Sequence, residues 1–406
     1  MSEDKRVTLA DCARVGAGTP GGEWLRRYWL VVGVDAELGA LPQEVRILGE
    51  DLVLFRDGQG RPGLLGLHCV HRGTSLAYGD VEAAGLRCIY HGWLFDVEGR
   101  CLEQPAEPKN STFCQRVRQP AYPVREQGGL LFAYLGPPPA PPLPRYAPLQ
   151  ERGGQRKIEP VRRQDYNWFN FYENVADPDH VWILHRQSGF GTQTWGNRFF
   201  APDDPPAWDV VETAWGLQIV LHKPTDDPEV EFIDTQSIAL PCVAQIGNTE
   251  FAHVRMDQAG VMTSHNEHIM FITPNDDDHF MLFTVDYYTG DDPAFFEKLA
   301  AVRAEHAARL AAAPTGNGRL VRGVIRVEDT VAQSTQGTLG ERTERLGASD
   351  RGIIRLRQLV RRAIEAVQAG ERPQGVLDPD EADTVIDLAT FVGTRPRRQV
   401  SRVGGP

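Results

Sequence analysis

The sequence has no long apolar run, few cysteines and no excess of basic residues. No apolar stretch approaches the roughly 18 residues of a membrane-spanning helix, so we expect no membrane span. The formal net charge of −12 makes nucleic acid a poor candidate partner. Six cysteines in 406 residues are too few for a disulfide scaffold, and the polar residues 1–5 lack a signal-peptide pattern. We therefore expect a cytoplasmic protein whose clustered cysteines bind metal.

Changes in composition divide the chain into four parts. They are an N-terminal helical segment, a β-rich domain, a proline-rich junction and a larger domain, over residues 1–44, 45–136, 137–150 and 151–406. Short apolar runs broken by glycine, with turns at Asp57-Gly58 and Glu98-Gly99, make the second part a small all-β domain. The prolines of the third part cannot pair in a sheet and favour an extended junction.

The larger domain mixes helical patterns with β-like runs, so we expect it to be α+β. Helices are predicted over 166–187, 293–312 and 349–369, the last with Ser349 as its N-cap. A further short amphipathic helix is predicted over 22–31 in the N-terminal segment. The predicted fold class is α+β, with a small all-β domain preceding the larger one.

Two cysteine–histidine pairs lie in the β-rich domain. They are Cys69-x-His71 and Cys88-x-x-His91, with 16 residues between His71 and Cys88. Zinc accepts the same ligands, but three details favour an iron–sulfur cluster. Histidine alternates with cysteine within each pair, a glycine follows each pair, and β-like runs flank both. The remaining cysteines have no histidine at ligand spacing and are interpreted as packed thiols: Cys12, Cys101, Cys114 and Cys242.

A second set of polar residues lies in the helical pattern over 167–185. Asn170, Glu173, Asp177 and His180 recur at spacings of three and four, so they share one helix face. The other faces are so apolar that the helix and its polar stripe should be buried. His180 and His185 are five residues apart, so both reach one metal ion only if the helix is distorted there.

Two histidines and one carboxylate form the facial triad of non-heme Fe(II) oxygenases. The carboxylate need not be near in sequence. The segment 326–333 is the best source of it, and it offers both Glu328 and Asp329.

Together these patterns resemble the Rieske-type non-heme iron oxygenases. The cysteine–histidine pairs resemble the Rieske [2Fe–2S] motif, and Asp177-x-x-His180-x-x-x-x-His185 resembles the iron motif of the same family. The chain is most similar to the phthalate 4,5-dioxygenase type. It departs from many relatives at Asn170, where glutamine is frequent, and at Ser334, where glutamate is frequent.

The resemblance implies a role for each residue. Cys69, Cys88, His71 and His91 would hold the cluster, while His180, His185 and Asp329 would hold one mononuclear iron in an antiparallel sheet covered by helices. Asp177 would bridge to a cluster histidine of a neighbouring subunit in a head-to-tail trimer, which could stack into a hexamer. That histidine would be His91, or else His71. Asn170 is a further catalytic candidate.

The implied activity is O2-dependent hydroxylation or cis-dihydroxylation of an aromatic compound, with an aromatic acid expected. Electrons would come from a separate flavin or iron–sulfur reductase or a ferredoxin, since the chain has no dinucleotide fingerprint of its own. Oxidative demethylation is the alternative reaction, and a pure electron carrier is the alternative class. Arg198 and Arg255 are candidates for pairing with a substrate carboxylate, although arginines are more often structural.

Overall fold

The computed structural model describes residues 7–151, 153–185, 207–224, 227–247, 266–288 and 325–397, with a few single positions between 294 and 308. The α-helices with described bounds are α1 (Leu9–Ala13), α2 (Pro20–Leu25), α3 (Trp168–Val175), α4 (Asp179–Leu184), α5 (Ile325–Ser334) and α6 (Arg351–Gln368). None of the described helices has the length and apolar character needed to cross a membrane.

The N-terminal half of the chain is built from three small antiparallel sheets. Its strands are β1 (Trp29–Val34), β2 (Gln43–Ile47), β3 (Glu50–Arg56), β4 (Pro62–Gly66), β5 (Asp80–Glu82), β6 (Gly85–Arg87), β7 (Leu94–Phe95), β8 (Cys101–Glu103), β9 (Ala121–Tyr122), β10 (Val124–Gln127) and β11 (Leu130–Tyr134). The sheet orders are β1-β11-β10, β2-β3-β4-β9 and β5-β6-β7-β8. The predicted turns are confirmed, because residues 57–58 lie between β3 and β4 and residues 98–99 lie between β7 and β8.

The C-terminal part is dominated by one large antiparallel sheet. The strands of this part are β12 (Arg145–Tyr146), β13 (Gln155–Ile158), β14 (Arg162–Gln164), β15 (Ala207–Glu212), β16 (Gly216–Pro224), β17 (Val230–Ala239), β18 (Val243–Gly247), β19 (Asn266–Pro274), β20 (Phe280–Tyr288), β21 (Val385–Ile386) and β22 (Val392–Pro396). Of these, β12 and β21 form a separate two-stranded parallel sheet. The order β13-β20-β19-β18-β17-β16-β15 forms the path of the large sheet, and β14 and β22 add to β20 and β17. Helices α3 and α6 pack against this sheet.

The β-domain and the large sheet share apolar cores. Trp29 and Phe132 of the β-domain pack in one cluster with Phe271 of β19, and the Phe132 and Phe271 rings meet edge-on at 5.6 Å. Main-chain hydrogen bonds support this contact, since Leu48 N donates to Pro274 O at 2.9 Å. Within the proline-rich junction, Pro141 O accepts from the Trp29 indole at 2.8 Å. The junction is thus packed against the β-domain.

Two of the predicted helices differ at one end from those observed. The helix predicted over 22–31 is wrong at its C-terminal end, because α2 stops at Leu25 and Trp29 begins β1, which pairs with β11. The β-branched run in β1 favours a strand once a partner strand is available. Ser349 is not the N-cap of α6. Asp350 occupies that position, and a 3₁₀ turn precedes it.

Some predicted features lie outside the described residues. They are most of the helix predicted over 293–312 and the candidate substrate-binding residues Arg198 and Arg255.

Candidate metal centres

The first cysteine–histidine pair lies on a tight turn. Cys69 N donates to Thr74 O at 2.9 Å, and Gly73 N donates back to Cys69 O at 2.8 Å. Gly73 has a φ of +78°, a conformation that costs little only for glycine. The glycine beside this pair is therefore required by the backbone of the turn.

The second pair lies on a turn of the same geometry, between β6 and β7. Cys88 N donates to Trp93 O at 2.9 Å, and Gly92 N donates to Cys88 O at 3.0 Å. Gly92 has a φ of +75°. Two matching turns thus present one cysteine each, and both cysteines are buried in the same apolar cluster.

The four side chains of these turns come together with sulfur inside and imidazole outside. The His71 and His91 rings are 4.4 Å apart between centroids, and His71 also stacks on Trp93 at 4.3 Å. Burial raises the pKa of Cys69 to about 11, and the neighbouring Cys88 thiol adds to this, while main-chain N–H groups of His71 and Arg72 lower it. The donor set of two thiols and two imidazoles, with N–H groups facing a sulfur, fits a Rieske cluster.

The second constellation starts at a break between two helices. The single helix predicted over 166–187 is wrong, because α3 ends at Val175 and α4 begins at Asp179. Pro178 supplies no N–H and restricts the residue before it. The Asp177 carboxylate accepts the N–H groups of Asp179 at 3.1 Å and His180 at 3.3 Å. A helix distortion was predicted between His180 and His185, whereas the observed helix break lies before His180.

The break also determines how Asp177 meets His180. Because Asp177 is three residues before His180, a regular helix would bring its carboxylate to the His180 ring, but the structure does not show this contact. Nδ1 of His180 instead faces the main-chain carbonyl of Asp177, since the carboxylate caps α4. This contact leaves Nε2 of His180 as the ring nitrogen free to bind metal. Burial raises the pKa of Asp177.

His180, His185 and Asp329 converge on one point. One ligand atom from each lies within 4.8 Å of the others. Asp329 Oδ1 is 3.2 Å from Nε2 of His185 and 3.6 Å from Nε2 of His180. Ligand atoms about 2.1 Å from one ion and at right angles to each other lie about 3 Å apart. The three side chains therefore fit a single metal ion on one face of its coordination sphere.

Glu328 and Asp329 meet opposite edges of the His185 ring. Glu328 is fully buried, and its Oε2 lies 2.8 Å from Nδ1 of His185. Burial disfavours a charged His185, yet the carboxylates of Asp329 and Glu328 outweigh it and raise the pKa of this ring. Of the two carboxylates that the sequence offered, Asp329 lies beside Nε2 of His185, at the candidate metal position, and Glu328 contacts Nδ1 on the opposite side of the ring.

Asn174 was not singled out by the sequence. Its Nδ2 lies 3.2 Å from Nε2 of His180 and 3.5 Å from Asp329 Oδ1. A sequence signal for Asn174 was available, because it is four residues after Asn170 and three before Asp177, the spacings that define the predicted polar stripe. Asn174 is therefore a fourth polar side chain beside the candidate metal position, after His180, His185 and Asp329.

Asn170 anchors the helix that carries Asp329. Its Nδ2 donates to the carbonyl oxygens of Gln333 at 3.1 Å and Gly337 at 2.9 Å, at the C-terminal end of α5. Tyr166 donates to Gln333 Oε1 at 2.6 Å. Asn170 therefore holds α5 against α3, and its contacts are those of a supporting residue.

Glu173, the remaining residue of the predicted polar stripe, enters a buried ion network. It pairs with Arg342 at 2.5 Å and with Arg357, and both arginines also bind Glu344. Two positive and two negative groups balance, which makes their burial tolerable. The hydrogen bond from Arg357 is the main cause that lowers the pKa of Glu344.

Glu173→Gln should destabilise the protein by about 3 kcal/mol, because it leaves the buried Arg357 and the partly buried Arg342 short of a partner. The exposed pair Arg362–Glu212 offers a matched control, and Glu212→Gln should cost less than about 1 kcal/mol. Urea unfolding followed by circular dichroism measures both. Equal losses in the two variants would show that the buried network does not stabilise the fold.

The fold and the N-terminal sequence match known proteins. Residues 28–123 match the family model of the Rieske [2Fe–2S] domain, which implies a [2Fe–2S] cluster. The structure is similar to dicamba monooxygenase bound to dicamba, with a TM-score of 0.63, 18% identity, and coverage of 85% of this chain and 99% of that chain. A Rieske domain joined to a helix-covered antiparallel sheet is the fold of such oxygenases, and the predicted α+β class is confirmed.

Curated relatives extend the match to most of the chain. The sequence is 34% identical to the 5,5'-dehydrodivanillate O-demethylase oxygenase subunit of Sphingobium sp., over 93% of this chain and 85% of the relative. It is 30% identical to the phthalate 4,5-dioxygenase oxygenase subunit of Pseudomonas putida, over 89% and 86%. The chain belongs to the Rieske non-heme iron oxygenases as a catalytic (alpha) subunit. The predicted resemblance to the phthalate type is confirmed.

A third relative matches more strongly over a shorter stretch. The chain is 52% identical to the phenoxybenzoate dioxygenase subunit alpha of Ectopseudomonas oleovorans over 185 residues, which are 42% of this chain and 45% of that protein. The aligned part of this chain therefore spans less than half of that relative.

Proposed function

We propose that this chain is the terminal oxygenase that hydroxylates or cis-dihydroxylates an aromatic acid with O2. The observation that carries the proposal is the convergence of His180, His185 and Asp329 in a chain that also has a Rieske domain. Electrons would reach it from a separate flavin or iron–sulfur reductase or a ferredoxin. Relatives named for phthalate and phenoxybenzoate support a carboxylated aromatic substrate.

The proposed ligands follow from the two donor sets. Cys69 and Cys88 would bind one iron of the cluster, and His71 and His91 the other. His180, His185 and Asp329 would bind a mononuclear Fe(II). When bound, the cluster would supply single electrons and the Fe(II) would activate O2 beside the substrate.

The protein's own groups prepare the mononuclear site. Glu328 and the Asp177 carbonyl accept from Nδ1 of His185 and His180, so each ring directs Nε2 inward. Asp329 Oδ1 faces both Nε2 atoms and supplies the negative charge that a divalent cation requires. Asn170 fixes α5 and thereby the position of Asp329. These contacts support the proposed ligands, because they favour the tautomers whose Nε2 can accept a metal ion and they place the Asp329 carboxylate beside both rings.

Oxidative demethylation is a second candidate reaction of the same site. The relative named as an O-demethylase oxygenase subunit matches 93% of this chain at 34% identity. Hydroxylation of a methoxy carbon gives a hemiacetal that releases formaldehyde. The two reactions therefore leave different products.

The function is tested by metal content and by turnover. Oxygenase loaded with both centres should contain about three iron atoms per chain, against about two for a pure electron carrier. The holoenzyme with a reductase should convert members of a panel of aromatic acids and methoxy-aromatics, with product mass and formaldehyde measured. Two irons and no product with any substrate would favour the electron carrier.

We infer that electrons pass between subunits of a trimer. The turns around the cluster site expose apolar side chains, with Val70, Ile89 and Tyr90 at 44%, 56% and 55% exposure. Such a patch is suited to burial against a second copy of the chain. The half-buried carboxylate of Asp177 would meet His91 or His71 of the neighbouring subunit. If each subunit has one surface that donates electrons and another that accepts them, three subunits can close into a ring with this contact at every interface.

Mixed trimers distinguish transfer between subunits from transfer within one. Trimers assembled from His91→Ala and Asp329→Ala subunits should regain partial turnover, because an intact cluster can then serve an intact iron across an interface. Asp177→Asn should keep both metals yet nearly abolish turnover. If verified mixed trimers remain inactive while wild-type trimers refolded in parallel are active, transfer occurs within one subunit.

A further inference from the structure

Gln119 lies outside both metal-binding motifs, yet its side chain brackets a proposed cluster ligand. Its Nε2 donates to Gly66 O at 2.7 Å and to His68 O at 2.9 Å, while its Oε1 accepts from Val70 N at 2.9 Å. Cys69 is the residue between the last two. The Gln119 carboxamide therefore holds the main chain on both sides of Cys69.

This carboxamide is itself firmly held. Gln119 is 2% exposed, and its N–H donates to Gly99 O at 2.8 Å. The next residue, Pro120, accepts from Gly66 N at 2.8 Å, so the two segments are also joined through their backbones. A buried amide with three satisfied hydrogen bonds and a fixed backbone has little freedom to move.

The position of the Val70 peptide determines the direction of the next two N–H groups in the turn. Because Gln119 fixes the Val70 N–H, the N–H groups of His71 and Arg72 remain directed at the Cys69 sulfur. Hydrogen bonds to cluster sulfurs favour the reduced, more negative state and raise the potential. Gln119 thus acts on the cluster through the orientation of the turn.

The second turn is held by a different group. Arg87 Nη1 donates to Gly92 O at 2.5 Å, and its guanidinium pairs with Glu82 and, at 2.7 Å, with Glu103. This contact fixes the glycine end of the turn rather than the peptides beside Cys88. The two turns are therefore held differently: a charged guanidinium contacts the glycine of the Cys88 turn, whereas the neutral amide of Gln119 contacts the peptides on both sides of Cys69.

We propose that Gln119 is a positioning residue that sets the reduction potential of the Rieske cluster by fixing the peptides on either side of Cys69. The proposal rests on the proposed role of Cys69 as a cluster ligand. Gln119 would thus tune the cluster's reduction potential although it is 49 residues from Val70 in sequence. Substitution of Gln119 should leave the mononuclear site unchanged.

Gln119→Met tests the proposal in the holoenzyme, because methionine keeps the length of the side chain and removes all three hydrogen bonds. The midpoint potential should fall, by up to about the 59 mV that corresponds to a tenfold change for a one-electron couple. The EPR g-values of the reduced cluster should shift as well. Gln119→Glu keeps an acceptor for Val70 N–H but replaces the donors to Gly66 O and His68 O with a carboxylate. Its potential should fall as well, because the lost donors loosen the turn and a negative charge near the cluster disfavours reduction.

Gln245→Met is the matched control. Gln245 is a glutamine of the large sheet with 1% exposure, and its Nε2 donates to Thr390 at 2.9 Å. This variant should lose stability and keep the cluster's potential and spectrum. If Gln119→Met loses stability to the same degree but keeps the wild-type potential and g-values, Gln119 is only a structural residue.

Two other outcomes are also decisive. If Gln119→Met binds no cluster but keeps its far-UV circular dichroism and mononuclear iron, the positioning role is supported. If Gln119→Met unfolds altogether, Gln119→Glu is the decisive variant, because an unchanged midpoint potential in Gln119→Glu overturns the proposal. Failure of the ligand assignment is recognised separately, by a wild-type spectrum in Cys69→Ser.

Discussion

Asp329→Ala should abolish product formation and remove the mononuclear iron, while the visible spectrum of the cluster remains. Asp329 is the carboxylate whose Oδ1 faces Nε2 of both His180 and His185. Without it two neutral imidazoles remain, which hold Fe(II) far less tightly than the complete triad. Iron analysis should therefore fall from about three to about two atoms per chain.

Glu328→Gln is the matched control for Asp329. It keeps the shape of a side chain that contacts Nδ1 of His185 and removes its charge. Substitution of a residue that orients a metal ligand typically costs about 10- to 100-fold in affinity or activity, so iron and some turnover should remain. Iron retained in Asp329→Ala but lost in Glu328→Ala would transfer the ligand role to Glu328.

Cys69→Ser or His91→Ala should remove the cluster's visible absorbance and, with it, turnover supported by a reductase. Cys69 and Cys88 are buried together, and serine is a poor ligand for an iron–sulfur cluster. The mononuclear iron should remain, so iron should fall to about one atom per chain. Absorbance spectra and iron and sulfide analysis of the purified variants measure this loss.

Cys114→Ser controls for the loss of a thiol near the cluster. Cys114 lies in the same domain and donates to the main-chain oxygen of Cys101 at 3.1 Å, a contact that a serine hydroxyl can replace. Its spectrum should match that of the wild type. A full cluster spectrum in Cys69→Ser or His91→Ala would rule out the proposed ligands.

Local sequence patterns were sufficient for the elements whose partners are near in the chain. The β-rich domain, its turns and the glycines of the cluster turns depend on short-range backbone requirements. The prediction of a single helix over 166–187 was wrong. The pattern of residues 168–175 and 179–184 is helical in both segments, but the break between them depends on the Asp177 carboxylate, which caps α4, and on Pro178 next to it. Residues 29–31 of β1 continue the pattern on which the helix over 22–31 was predicted, and the pairing of β1 with the distant β11 selects the extended form.

The residues that carry the proposed chemistry can be recognised in the sequence, whereas their geometry depends on the fold. Cysteine, histidine and carboxylate identities and their spacing indicate two iron centres, because ligand type restricts the metal. Only folding could show that Glu328 lies behind His185, 143 residues away, and that Gln119 brackets Cys69 through Val70, 49 residues away. Such contacts leave no local pattern, since the packing of distant segments, and not their sequence separation, brings the two partners together.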